Sequence, residues 1–243
     1  MLKLEHIKWD TEDGQSIIKD INLDIEDGKL IVVTGPNGGG KTSLAKLIAG
    51  IKHVTDGKIF LDNEDITNLD ITTRAKKGIA YAFQQPVKFK GLTVRDILKL
   101  SAGKDLDEGE ACALLSKVGL CAEEYIDREL NDSLSGGESK RIEIAGVLAR
   151  DAKLYIFDEP EAGIDLWSFA KLVETFEILR KHTKGTLLII SHQERILSIA
   201  DEIVVISDGK VRVKGNKKEI LPTLFKEERA NMCPKEKEAA VNE

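Results

Sequence analysis

Gly35-Pro36-Asn37-Gly38-Gly39-Gly40-Lys41-Thr42 decides how this chain folds. It satisfies the phosphate-loop template G-x-x-x-x-G-K-[ST] at every fixed position. A strand-like apolar run, Leu30-Ile31-Val32-Val33, leads into it. A helix-like run from Ser43 leads out of it and stops at Gly50, a residue suited to a helix C-cap. A triphosphate carries dense negative charge, and successive backbone N–H groups can surround it only where no Cβ intrudes, which accounts for the glycines. The helix beginning near Lys41 aims its unpaired N–H groups and the positive end of its dipole at the same place. In this template the lysine, Lys41, reaches the β- and γ-phosphates and the Thr42 hydroxyl ligates Mg²⁺.

Working outward, the 243 residues suit one large α/β domain, or a core domain carrying a small inserted one. The net charge is −6, from 36 basic and 42 acidic residues, and no basic block stands out. That argues against nucleic acid as a partner, which needs a concentrated positive surface. No apolar run approaches the roughly 18–20 residues that span a bilayer, and Met1-Leu2-Lys3-Leu4-Glu5 reads as strand rather than signal peptide. A cytoplasmic location is expected. Cys112, Cys121 and Cys233 are odd in number and widely spaced, so reduced thiols are expected, with Cys112 filling a helix face.

Residues 2–25 alternate around a turn at Glu12-Asp13-Gly14-Gln15, as an antiparallel pair with one buried side does. Asp56-Gly57 introduces Lys58-Ile59-Phe60-Leu61, and Gly78 separates a short helix from the strand Ile79-Ala80-Tyr81-Ala82-Phe83. Residues 84–133 lose the strand pattern. Thr93-Val94-Arg95-Asp96 and Asp107-Glu108-Gly109-Glu110 read as helix-opening capping boxes, so this stretch is a small helical insertion. The core resumes at Leu154-Tyr155-Ile156-Phe157, continuously apolar as a parallel strand buried on both faces is. A helix, the strand Thr186-Leu187-Leu188-Ile189-Ile190, a second helix and a hairpin turning at Asp208-Gly209 complete it. From Asn216 the chain reads as a short helix and a frayed tail. The expected divisions are an ATP-binding core at 1–83 and 134–215, a helical part at 84–133 and a C-terminal helix and tail at 216–243.

Two further motifs carry chemistry. Asp158-Glu159 ends an apolar strand at the edge where ligands sit in open α/β sheets. Asp158 is then placed to hold the water shell of Mg²⁺, and Glu159 to orient or deprotonate the attacking water. Leu134-Ser135-Gly136-Gly137-Glu138 precedes a helix-forming stretch and is a second helix start able to face an anion. With these motifs in this order the chain resembles the ATP-binding cassette (ABC) ATPase family. That resemblance implies a P-loop α/β core of mixed sheet, an antiparallel β subdomain and an inserted α-helical subdomain.

Ser135, Gly136, Gly137 and Glu138 match the family's signature motif, with Glu138 where Gln is usual, a departure that would add negative charge near the nucleotide. Phe83-Gln84 matches the Gln-loop, whose Gln84 would reach the metal or water. Ala162-Gly163-Ile164-Asp165 matches the D-loop, and Ser191-His192 the switch histidine, whose His192 would bond the γ-phosphate. The phosphate loop with Ser43 completes the nucleotide contacts. The aromatic that stacks on adenine should fall near Thr11, and Trp9 could substitute for it or anchor the hairpin. The family sets the phosphate loop of one copy against the signature helix of another, so ATP, Mg²⁺ and a second copy of this chain are the implied cofactors and partner.

Within the family, a single motif set and about fifty residues between Gln84 and Leu134 exclude tandem-cassette and coiled-coil-arm relatives. Phe83-Gln84-Gln85-Pro86-Val87, Ser135-Gly136-Gly137-Glu138 with Lys140-Arg141, and Ser191-His192-Gln193-Glu194 resemble the Suf-type iron–sulfur cluster assembly ATPase. This is the expected reading, with a Suf-type scaffold protein as partner. Pro160 is instead common in transporter cassettes. The alternative is therefore the nucleotide-binding subunit of a membrane transporter, peripheral at the membrane, with a transmembrane permease subunit docking near residues 84–95.

Overall fold

One sheet of ten strands organises the chain in the computed structural model, which describes residues 1–84, 91–131 and 133–231. Its strands are β1 (Leu2–Asp10), β2 (Ser16–Ile25), β3 (Leu30–Thr34), β4 (Asp56–Leu61), β5 (Glu64–Asp65), β6 (Ile79–Ala82), β7 (Leu154–Asp158), β8 (Thr186–Ile190), β9 (Glu202–Ser207) and β10 (Lys210–Asn216). The helices are α1 (Lys41–Ala49), α2 (Ile71–Lys76), α3 (Val94–Ala102), α4 (Glu108–Lys117), α5 (Ala122–Tyr125), α6 (Gly136–Leu148), α7 (Leu166–His182), α8 (Glu194–Ile199) and α9 (Lys217–Asn231).

Across the sheet the order is β5-β4-β1-β2-β10-β9-β3-β8-β7-β6. Strands β9, β3, β8, β7 and β6 run parallel, while β1 pairs antiparallel with both β2 and β4. Strand β10 joins the halves, antiparallel to β9 and parallel to β2 where Lys210 faces Asp20. The composition explains the division. β3, β7 and β8 are buried at every residue because helices cover both faces, whereas β2 mixes buried and solvent-facing residues.

Successive residues of a strand point to opposite faces, and β3 shows the consequence. Leu30 and Val32 join a core with α6 and α7, while Ile31 and Val33 join another with α1 and the antiparallel strands. Arg74, 1% exposed, fixes the far end of α1. Its guanidinium donates to Leu47 O at 2.6 Å and Ile48 O at 2.9 Å in the last turn of α1, and to Thr67 O at 2.7 Å in the segment before α2.

Both expected capping boxes form with their reciprocal bonds, Thr93 with Asp96 and Asp107 with Glu110. The hairpin turns at Asp208 and Gly209 with φ of 53° and 73°, the two positive values a tight two-residue turn requires. Cys112 departs from expectation: it is exposed. Helix α4 buries Ala111 and Leu115, and one position further round from Ala111 the side chain points to solvent. Cys233 lies outside the described residues. No helix among them is long and apolar enough to cross a membrane.

Candidate active site

Strand β3 delivers the chain to Gly35, where φ is 132° and a Cβ would stand 2.0 Å from Ile206 O. Only glycine lets the loop leave pressed against β9. The loop then curls back over its own lysine. Lys41, first residue of α1 and 6% exposed, donates from Nζ to Gly35 O and Pro36 O, each at 2.9 Å. Burial lowers its pKa, and the nearby Glu159 and Asp158 oppose that shift.

Strand β7 ends on the two carboxylates, and they part. Asp158 is buried with both oxygens engaged: Thr42 Oγ1 donates to Oδ1 at 2.9 Å, and Tyr81 OH donates to Oδ2 at 2.7 Å. Glu159 takes φ of 45°, a left-handed backbone that costs a non-glycine residue about 1–2 kcal/mol. Its N–H donates to Ile190 O at 3.0 Å, and Gln84 Nε2 donates to its Oε2 at 2.7 Å. The turn therefore gives one carboxylate to the strand side and the other to the Gln-loop.

Glu159 and the phosphate loop share a cavity of about 350 Å³, whose walls include Asn37, Gly38, Gly40, Thr42 and Ser43. Trp9 and Thr11 form its far wall. Lys52 Nζ sits 3.7 Å from the Trp9 ring centroid, so a cation already covers one ring face. Oxygen donors on Thr42 and Asp158 are suited to a hard divalent cation that keeps most of its water. The Gln84 amide nitrogen is turned to Glu159.

Other sequence-derived candidates are not brought to this cavity. Ser135, Gly136, Gly137 and Glu138 open α6 and none of them lines it. His192 is exposed, its Nε2 3.4 Å from Gln193 Nε2, and is not on the wall either. Asp165 caps α7, accepting from Trp167 N at 2.9 Å and Ser168 N at 3.0 Å.

Glu138 has partners within its own chain. Its carboxylate accepts from Tyr125 OH and from Ser135 N, while Ser135 Oγ accepts from Glu138 N. These bonds, led by that of Tyr125, hold its pKa below the usual range. Ser135 and Glu138 form a capping box, which glutamine at this position would also allow, and the charge that glutamate adds lies beside Tyr125 and Arg128.

Three partnerships come only from the fold. Tyr81 reaches Asp158, as above. Lys140, 1% exposed on α6, donates to Phe83 O and to Gln84 O at 3.3 Å and pairs with Glu143 at 2.9 Å, while Glu143 Oε1 accepts from Phe83 N at 2.9 Å. The signature helix thus grips the start of the Gln-loop by both backbone groups. Glu161 accepts from the fully buried Ser191, and burial pushes its carboxyl up. A separate, largely apolar cleft of about 520 Å³ opens on Tyr81, Phe83, Ile97, Leu130, Leu134 and Val147.

Gly137 fixes how α6 meets α7. A Cβ there would fall 2.1 Å from Ser168 Oγ, which is itself bonded to Asp165 at 2.7 Å. Gly137→Ala is expected to lower stability by about 1–3 kcal/mol through this overpacking, read as a shifted urea midpoint. An unshifted midpoint would mean the two helix starts are loosely held.

The chain matches the family model described as ABC transporter over residues 18–162. It is 37% identical over 216 residues to an uncharacterized ABC transporter ATP-binding protein of Methanocaldococcus jannaschii, covering 85% of this chain and 86% of that one. It is 35% identical over 215 residues to a probable ATP-dependent transporter of Cyanidium caldarium, covering 82% and 84%. Among solved structures, a component of an ABC transporter complex of Clostridium perfringens superimposes with a TM-score of 0.80 at 27% identity, covering 100% of this chain and 98% of that one.

Proposed function

The chain belongs to the ABC transporter family of ATP-binding cassette ATPases, and from that membership we propose that it is the nucleotide-binding, ATP-hydrolysing subunit of a membrane transporter. We assign it one cassette domain, with the ATP-binding core at 1–83 and 134–215, the helical subdomain at 84–133 and the C-terminal helix and tail at 216–243. The observation that carries the proposal is a site half built. The phosphate loop and Glu159 line one cavity, with Asp158 bonded to Thr42 behind its wall, while the signature helix start does not line it.

One copy therefore lacks the signature's N–H donors for the charge that develops on the transferred phosphoryl group. A second copy, docked head to tail, supplies them. Lys41 binds the phosphates, Thr42 and Asp158 would hold Mg²⁺, which when bound would supply charge neutralisation at the phosphates, and Glu159 takes the proton of the attacking water. Trp9 offers its uncovered face to the adenine. Gln84, turned to Glu159, couples the base to the Gln-loop. His192 is assigned to the γ-phosphate on the family motif alone, and Asp165 to the interface between copies.

The partner choice follows the relatives. Those above carry transport in their names, and none supports a Suf-type role. The apolar cleft beside Phe83 suits an apolar segment of a permease subunit. Of the Suf-type resemblance, Gln85, Pro86 and Val87 lie outside the described residues, and Glu138 has its local explanation. Affinity purification of the tagged chain from its own cells is expected to bring down an integral membrane protein. A soluble β-rich scaffold carrying cluster chemistry in its place would overturn the transport reading in favour of the Suf-type one.

A further inference from the structure

Tyr81 belongs to the metal side of the site and to the apolar cleft at once. Its ring lines the cleft and meets the Phe83 ring edge-on, with centroids 4.9 Å apart and planes at 72°. Its hydroxyl, at the other end, donates to Asp158 Oδ2 at 2.7 Å. Asp158 Oδ1 is turned to Thr42 at 2.9 Å, so the carboxylate is pinned from two sides and the orientation it shows Thr42 is fixed by a tyrosine. Strand register leaves little slack: Tyr81 lies opposite Ile156 and Ala82 opposite Phe157 on β7, two residues and one residue before Asp158. Lys140 and Glu143 hold the Phe83 backbone from the other side.

We propose that Tyr81 is a positioning residue for Asp158 and the connection through which contact in the cleft reaches the metal side of the nucleotide site. The proposal rests on the cassette reading of Thr42 and Asp158 and adds to it a residue outside the motifs. A hydroxyl that orients a carboxylate without touching the cation sets how well that carboxylate serves it, and removing such outer partners typically weakens metal binding about 10–100-fold. Displacing the Phe83 ring should act in the same direction through the ring of Tyr81.

The test uses Mn²⁺ as the probe, titrated into the full chain saturated with ADP, with free Mn²⁺ read by electron paramagnetic resonance. Tyr81→Phe keeps the ring and removes only the donor; Mn²⁺ affinity is expected to fall about tenfold. ADP binding in the presence of EDTA should be unchanged. Phe83→Ala, which retains the backbone bonds to Lys140 and Glu143, is expected to weaken Mn²⁺ by a smaller factor, about threefold. Tyr155→Phe is the control, since that hydroxyl accepts from Ala152 N at 2.8 Å and leaves Asp158 alone. It should show the wild-type value. The proposal requires both shifts, and a wild-type affinity in either Tyr81→Phe or Phe83→Ala overturns it, as does an equal loss in Tyr155→Phe. Thr42→Ala separates the two levels: if it too leaves Mn²⁺ affinity unchanged, the cassette reading of the metal side fails first.

Discussion

Lys41→Ala should abolish ATP binding at concentrations that saturate the wild-type chain. The Lys41 ammonium is the buried cation of the loop, and it rests on Gly35 O and Pro36 O until phosphate oxygens replace them. Two charge-assisted bonds at about 1.5–3 kcal/mol each correspond to roughly 10²–10⁴ in affinity. The surroundings push the loss toward the upper figure. Asp158 and Glu159 both act on Lys41, and without it they would face the triphosphate with one positive charge fewer between. Folding should survive, since Gly35 is half-buried and Pro36 exposed, where water can reach the freed carbonyls. Calorimetric titration measures the outcome directly, and near wild-type affinity would remove the phosphate-loop assignment altogether.

Local rules governed most of what was legible in the sequence. The phosphate loop, the buried parallel strands and the two helical capping boxes each depend on residues within a few positions of one another, and their spacing survives folding unchanged. Tyr81 was illegible because its partner lies 77 residues away, and an aromatic inside an apolar strand says only that the strand is buried. Lys140 was illegible for a related reason: only the packing of α6 against the Gln-loop buries it. Glu138 was different, because its local role was written in the sequence. Ser135 followed three residues later by glutamate is itself a capping-box sequence. Cys112 failed on geometry, where one residue of helix rotation separates the buried face from solvent.

Glu159→Gln should preserve ATP binding while hydrolysis falls roughly 10²–10⁴-fold, the contribution of a positioned base. The substitution keeps the shape, and a glutamine oxygen can still accept from Gln84 Nε2, which donates at 2.7 Å in the present chain. It removes the basicity and one of the two negative charges beside the phosphates, so nucleotide affinity should hold or rise. With cleavage blocked, the closed pair of copies has no exit, and a species of twice the 26.8 kDa chain mass should accumulate with Mg-ATP on a sizing column. Adding Lys41→Ala to the same chain should abolish that species, which distinguishes nucleotide-driven pairing from non-specific association. Wild-type turnover in Glu159→Gln would mean that another group takes the proton. The fold names the first alternative: Glu161 is a buried carboxyl with a raised pKa near both Glu159 and His192, and one of its oxygens has no hydrogen-bond partner among the described residues. A raised pKa favours proton acceptance once the group is ionised, but Glu161 does not line the cavity that holds Lys41, and Glu159 does. Geometry therefore assigns the base to Glu159, and the pair Glu159→Gln and Glu161→Gln, assayed side by side, decides whether that assignment stands.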